Sequence, residues 1–282
     1  MGHKNKESLT QQTERVLSKK CRFGESRDKA KKDKSDKDGI YSYSTFSAYL
    51  KWCYVFVHFC LDHYKCKTLM QCRQYVDEWL TDLMRRCAPS TVKLAASALA
   101  KLYGCSAKDF VHTPDRRRAD IVRSRGAKAR DRHFSEENHR ELVDFCKSTG
   151  LRRHELYNLR GTDLVCENGR WYVHVRKGKG GKERLAQVIG NVQSVIDVMY
   201  KAGDGKVFPK VPEVMDVHGY RREYATTFYK ILVRPLDKLP EKELYRCRGD
   251  KKGVVYDRRA MLTVSKCLGH NRIDVIAGHY LD

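Results

Sequence analysis

The stretch LVCENGRWYVHVRKGKGGKERLAQV, residues 164–188, decides how the rest of the chain is read. Its apolar and polar residues alternate as strands do. Asn168-Gly169 is a two-residue hairpin signal, and Gly178 to Gly181 supply a second, flexible turn carrying Lys179 and Lys182. A small antiparallel sheet is therefore expected. On either side the apolar spacing changes to threes and fours, so the fold class is mainly α with a small antiparallel β-sheet. A glycine-rich turn with lysine is a weak sign of phosphate binding and is more often a plain surface hairpin. It is not a Walker loop, because no GK[ST] step leads into a helix.

Just upstream, TGLRRHEL (149–156) places Arg152 at the opening of a helix, where terminal N–H groups favour anions. A guanidinium there can hold a phosphate through two hydrogen bonds. Phe134-Ser135 starts the preceding helix, whose inner face is Leu142, Phe145 and Cys146 and which ends at Thr149-Gly150. Downstream, His218-Gly219-Tyr220-Arg221 opens another helical segment with histidine and arginine on one face. Ala260, Val264, Cys267 and Leu268 follow at helical spacing, and Gly269 suits the position just past a helix end. Ile273, Ile276 and Tyr280 then predict a short helix carrying the tyrosine inward. A lone tyrosine at such spacing is ordinarily packing, and a lone histidine–arginine pair is unremarkable.

Moving toward the amino terminus, Phe46, Leu50, Cys53, Val57 and Leu61 mark one helix face. Cys72, Val76, Trp79, Leu80 and Leu83 mark a second, with Thr68 as its cap. Ser90 caps a third, which runs through Val92, Leu94, Ala98, Leu99 and Leu102 to Gly104. Residues 41–112 thus read as a helical domain, residues 1–40 as a basic, flexible arm too polar to bury a core, and residues 134–282 as a second domain. Between Asp115 and Arg132, eight of eighteen residues are Lys or Arg with hardly an apolar anchor, so 113–133 reads as a basic linker. Such a linker can be a solvated connector or can lie along phosphates.

Charge narrows the partner class. Fifty-seven Lys and Arg against thirty-five Asp and Glu give +22, which favours a polyanion, with nucleic acid the natural candidate. The longest apolar stretch, near Tyr54 to Leu61, is far too short to span a bilayer, and no signal peptide opens the sequence. Membrane is thus not expected as a partner, and a cytoplasmic location is. The eleven cysteines are odd in number and none shows CxxC spacing, so they read as reduced thiols rather than a disulfide framework or a metal site.

Arginine in a TGLR-x-x-E-L stretch, lysine in a hairpin GKG turn, H-x-x-R, an LGH histidine and a late tyrosine occur here in that order. In this the chain resembles the tyrosine recombinase, or phage integrase, family. The resemblance spans roughly residues 41–282, with the specific motifs confined to 134–282. It implies a helical core-binding domain followed by a mixed α/β catalytic domain. It names Arg152, Lys179, His218, Arg221, His270 and Tyr280 as catalytic and Glu155 as orienting. Arg152 and Arg221 would clamp the scissile phosphate with help from His270, Lys179 would protonate the departing 5′-oxygen, and His218 would accept the phenolic proton of Tyr280. Arg116, Arg117, Arg118, Arg123, Arg125, Lys128, Arg130 and Lys182 are the expected contacts to double-stranded DNA, with the two domains closing on the duplex as a C-shaped clamp.

The resemblance further implies a homotetramer on paired DNA sites, no metal and no cofactor, and a setting of a bacterial, archaeal or viral host cell, on the nucleoid. Two departures stand out. Family members commonly place the tyrosine nine residues after the LGH histidine, where this chain has His279, and Tyr280 comes at ten. A turn at Asn271 would absorb the extra residue. The segment between Arg221 and His270 is also long, which predicts an added hairpin or loop and makes Tyr245 and Tyr256 fallback nucleophiles. With only Leu281 and Asp282 after Tyr280, assembly is expected to rely on contacts other than a carboxyl-terminal tail. A site-specific recombinase or integrase is the leading reading. A type IB topoisomerase-like nicking enzyme and a non-catalytic DNA-binding protein stay open beside it.

Overall fold

A computed structural model describes residues 7–25, 30, 32–33, 38–115, 134–178, 181–270 and 272–281. The chain divides into two compact units, Met1–Asp120 and Ile121–Asp282. Among the described residues no helix is long and apolar enough to cross a membrane.

The first unit is helical, and it corrects the expectation of a flexible arm. Helix α1 (Leu9–Ser18) is started by a capping box in which Ser8 and Gln11 satisfy each other's backbone N–H groups. It buries Leu9, Thr13 and Leu17, spaced by four, in the same core as Phe56, Trp79 and Leu99. Ile40 is tied back to the end of α1 by Ile40 N→Lys20 O and Arg22 N→Ile40 O, each 2.8 Å. Helix α2 (Tyr43–Tyr64) follows a Ser42 cap. Thr68 caps α3 (Leu69–Cys72) as expected, but the run 72–83 is not one helix. A 3₁₀ turn over Arg73–Tyr75 separates α3 from α4 (Val76–Arg86). Helix α5 (Pro89–Tyr103) begins with Pro89 at its first position after Ala88, so Ser90 is not its cap. It stops at Gly104, whose φ of 67° is one that residues with a Cβ avoid. The Trp79 ring sits edge-on to Phe56 at 5.3 Å in this core.

The second unit opens with a 3₁₀ turn, Glu137–His139, ahead of α6 (Arg140–Thr149), so the helix starts later than Ser135. Helix α7 (Arg153–Asn158) follows at once. The sheet is β1 (Leu164–Glu167), β2 (Arg170–Val175) and β3 (Arg184–Gln187), antiparallel in that order. Asn168 and Gly169 both take positive φ, 51° and 72°, as a two-residue hairpin demands. Helix α8 (Val192–Ala202) covers this part of the core with Val195 and Met199.

Helix α9 (Val217–Leu232) carries a second apolar cluster of Tyr224, Phe228, Met261, Val264 and Leu268. The long segment after it does hold a hairpin, β4 (Leu244–Arg246) paired with β5 (Val255–Asp257). Tyr245 and Tyr256 face each other across it, and Tyr256 is buried. Helices α10 (Arg258–Cys267) and α11 (Asp274–His279) complete the unit.

Candidate active site

Three guanidiniums gather at the carboxyl end of α10. The last carbonyls of a helix lack intrahelical partners and carry its negative pole, so cations collect there. Arg184 Nε donates to Cys267 O at 2.8 Å, Arg152 Nη2 to Leu268 O at 3.0 Å, and Arg221 Nη2 to the same Leu268 carbonyl. Gly269, with φ of 67°, turns the chain out of the helix and delivers His270 beside them.

Each arginine is set by its own element. Arg152 is the N-cap of α7, and Glu155 at the third helical position accepts from both its backbone N–H (2.8 Å) and its Nη1 (2.9 Å). Arg221 lies one turn into α9, fully buried, and also donates to the Gly150 carbonyl that ends α6. Burial lowers its pKa to about 10, with Arg152 and Arg184 nearby acting in the same direction, so it stays charged at neutral pH. Arg184 starts β3 and grips both Glu155 oxygens, at 2.8 and 2.7 Å. Burial pushes the Glu155 carboxyl up, but Arg184 and Arg152 outweigh it and hold it at about 2.

Tyr280 reaches this cluster. Its hydroxyl lies 3.1 Å from Arg221 Nε and 3.1 Å from His270 Nε2. It is the C-cap of α11, its backbone N–H still bonded to Ile276 O at 3.0 Å, and it reaches the cluster despite the ten-residue spacing. Because Arg221 Nε can only donate, the Tyr280 oxygen accepts from it, leaving the phenolic proton to point at His270 Nε2. Arg221 Nη2 approaches the same nitrogen at 3.4 Å, which assigns Nε2 as the unprotonated one.

His218 is exposed in the first turn of α9 and is not among the hydrogen-bond partners of Tyr280. Partial burial of the ring first, then Arg221, holds its pKa below the ordinary value. The site thus brings His270, not His218, to the phenol. Tyr256 is engaged instead by Lys251 Nζ at 3.1 Å.

Arg152, Gly178, Lys182, Glu183, Arg184, Lys266, Gly269 and His270 line a cleft beside the cluster. Lys179 and Asn271 lie outside the described residues, as do Arg116, Arg117, Arg118, Arg123, Arg125, Lys128 and Arg130. Arg184 and Lys266 were not legible as site residues. The one available signal for Arg184 was register. It stands opposite Val175, two residues from Ala186 opposite Val173, and so is a charge on the strand's apolar face. Among the described residues no group of His, Cys, Asp and Glu is arranged to hold a metal ion.

No family model matches the chain, and no curated protein matches it. Solved structures do. XerH site-specific recombinase bound to palindromic difH substrate, a post-cleavage complex, matches with a TM-score of 0.53 and 14% identity, over 99% of this chain and 95% of that one. A pre-cleavage complex of XerH with difH gives 0.51 and 15%, over 98% and 94%. The Tn1549 transposon integrase in complex with circular intermediate DNA gives 0.50 and 13%, over 96% and 95%. A predominantly helical chain with small antiparallel sheets, similar along nearly all its length to these enzymes, has the tyrosine recombinase fold.

Proposed function

We propose that the chain is a site-specific DNA recombinase that cuts and rejoins strands through Tyr280. The observation that carries this reading is the Tyr280 hydroxyl, 3.1 Å from both Arg221 Nε and His270 Nε2 at the rim of an arginine cluster. Arg152 and Arg184 share one carboxylate, Glu155, while Arg221 bonds carbonyls and the Tyr280 hydroxyl, so among the described residues the cluster holds more positive than negative charge. A phosphodiester carries one negative charge and moves toward two as a fifth oxygen bonds, so the surplus favours the transition state over the ground state.

In the proposed step Tyr280 Oη bonds to phosphorus as the P–O5′ bond breaks. The phenolic proton passes to His270 Nε2, and the 5′-oxygen takes a proton from a lysine of the 178–182 turn, Lys179 being the one that the resemblance implies. The products are a 3′-phosphotyrosyl strand and a free 5′-hydroxyl. A 5′-hydroxyl from a partner duplex attacks that linkage in reverse, so phosphoester energy is conserved and neither ATP nor a metal is required. Two rounds within a homotetramer on paired sites, through a four-way junction, complete recombination. The basic residues 116–130 and Lys182 would follow the phosphate backbone. The setting proposed is the cytoplasm of a cell holding the target DNA.

The test is incubation in EDTA with DNA from the ends of a mobile genetic element carrying this chain, the source the resemblance implies, followed by a search for covalent adduct and four-way junction. Tyr280→Phe, which removes one oxygen, should bind DNA as before and form no adduct. An adduct that survives in Tyr280→Phe but is lost in Tyr245→Phe or Tyr256→Phe would overturn the assignment. Relaxation of supercoils without a junction would mark a topoisomerase-like enzyme, and binding without an adduct a non-catalytic protein.

A further inference from the structure

We infer that Arg184 is a positioning residue of this site, acting through Glu155 and the α10 terminus to hold Arg152 where a phosphate will meet it. The inference rests on the recombinase reading and adds a residue to it. Arg152 has two side-chain anchors, Glu155 Oε1 at 2.9 Å and Leu268 O at 3.0 Å. Arg184 bonds both of those supports: it takes the two oxygens of Glu155 and, through Nε, the Cys267 carbonyl one peptide before Leu268. One guanidinium on β3 therefore fixes the distance between α7 and the end of α10, the span that Arg152 bridges.

The fit around Arg184 is close on both sides. A Cβ added at Gly269 would lie 3.0 Å from Arg184 Cδ, and one at Gly178 would lie 3.0 Å from its Nη1. Glu155 is left with no spare capacity, since Oε1 accepts from Arg152 and Arg184 and Oε2 from the Arg152 N–H and Arg184. Its side chain is 1% exposed, so this ionised carboxylate depends on those donors rather than on water. With Arg184 removed, burial pushes the carboxyl up. A protonated Glu155 releases Arg152 Nη1.

The prediction concerns pH as well as rate. Among the described residues the charged or titratable groups paired with Glu155 are Arg152, just before its helix, Arg184 on β3, and His154, whose Nε2 is 3.9 Å from Oε1. The experiment is therefore run in a His154→Gln background. The pH profile of nicked-duplex cleavage with Arg184 present, which includes the acid limb expected of His270 as proton acceptor, is the baseline. Arg184→Gln should lose about 100-fold at neutral pH, the cost of misplacing a group by about 1 Å. It should also gain a further acid limb beyond that baseline, which vanishes in Arg184→Gln/Glu155→Gln while the His270 limb stays. Arg184→Lys keeps the charge without the two-point grip and should fall between.

In parallel, ¹³C NMR of labelled glutamate follows the Glu155 carboxyl directly, with no DNA present. Its midpoint should rise in Arg184→Gln. If Arg184→Gln and Arg184→Lys lose activity equally at every pH and the Glu155 midpoint does not move, Arg184 is a structural residue only and the proposal fails. If parent protein forms no adduct while the Glu155 midpoint still shifts, the recombinase reading has failed and the Arg184–Glu155 coupling has not.

Discussion

Gly150→Ala should damage stability and chemistry together, because this glycine is both the end of α6 and a ligand of Arg221. Its φ is +60°, a left-handed conformation that costs a residue with a Cβ roughly 1–2 kcal/mol. The new methyl would also lie 2.4 Å from Cδ1 of Tyr224, a fully buried ring whose hydroxyl donates to Gln187 O at 2.7 Å. Overpacking of that kind costs roughly 1–3 kcal/mol more, for a total of about 2–5 kcal/mol. Gly169 separates the two terms. Its φ is +72° with nothing within 4 Å of an added Cβ, so Gly169→Ala should show the backbone cost alone. Urea unfolding of both variants measures the difference, expected at about 1–3 kcal/mol. Because Tyr224 sits three residues after Arg221 on α9, moving it moves the guanidinium that holds Tyr280, and adduct yield should fall in Gly150→Ala but not in Gly169→Ala. Equal unfolding costs, or a full adduct yield in Gly150→Ala, would refute the close packing on which this rests.

Leu17→Ala should destabilise the first unit by about 2–5 kcal/mol, as at other fully buried leucines, whereas a side chain on a solvated arm would show almost no change in urea unfolding. Asp257 accepts from Arg234 Nε and Nη2, both at 2.8 Å, and caps α10 through Arg259 N, so its pKa is held below the usual carboxylate range. That stability is present above the ordinary aspartate pKa and lost as pH falls through the lower folded value. Asp257→Ala should therefore cost at least the roughly 1 kcal/mol of a lost cap at pH 7, and its deficit against the parent should shrink on acidification. Lys266, exposed at the cleft, should act as one phosphate contact: Lys266→Ala should lower the slope of log affinity against log salt by about 1, read by fluorescence anisotropy, and an unchanged slope would remove it from the DNA path.

What could be read from the sequence was what depends on local chemistry. Gly104, Gly150 and Gly269 end their helices because each takes a positive φ that other residues resist, and glycine announces that position wherever it stands. Asn168-Gly169 set the hairpin, and the alternation around Val173 and Val175 set its buried face. Arg152 and Glu155 were visible as a pair because their contact is made within a single helical turn. The amino-terminal helix is faint in so polar a stretch, where TERVLSKK offers at most a turn or two: its buried stripe is only Leu9, Thr13 and Leu17, and the Ser8–Gln11 capping box is its one local signal. The turn at Arg73–Tyr75 contains neither glycine nor proline to announce it.

The site divides along the same line. Arg184, Arg221 and Arg152 are drawn from three elements to carbonyls 267 and 268, and while the motifs around Arg152 and Arg221 mark them, nothing in the neighbourhood of Arg184 records that meeting. A charged residue in a strand of a basic protein passes for surface unless its register is known, and only the pairing of Arg184 with Val175 shows that it points toward the core. Tyr280 illustrates the converse. Counting along an ideal helix, one extra residue rotates a side chain by about 100° and should aim the phenol away. His270 lies ahead of α11 (Asp274–His279), so the ten residues are not counted along one helix, and the hydroxyl meets Arg221 and His270 from the C-cap position. Spacing rules of this kind hold only while the helix lasts, and the place where a helix stops is as much a part of a catalytic motif as the residues counted along it.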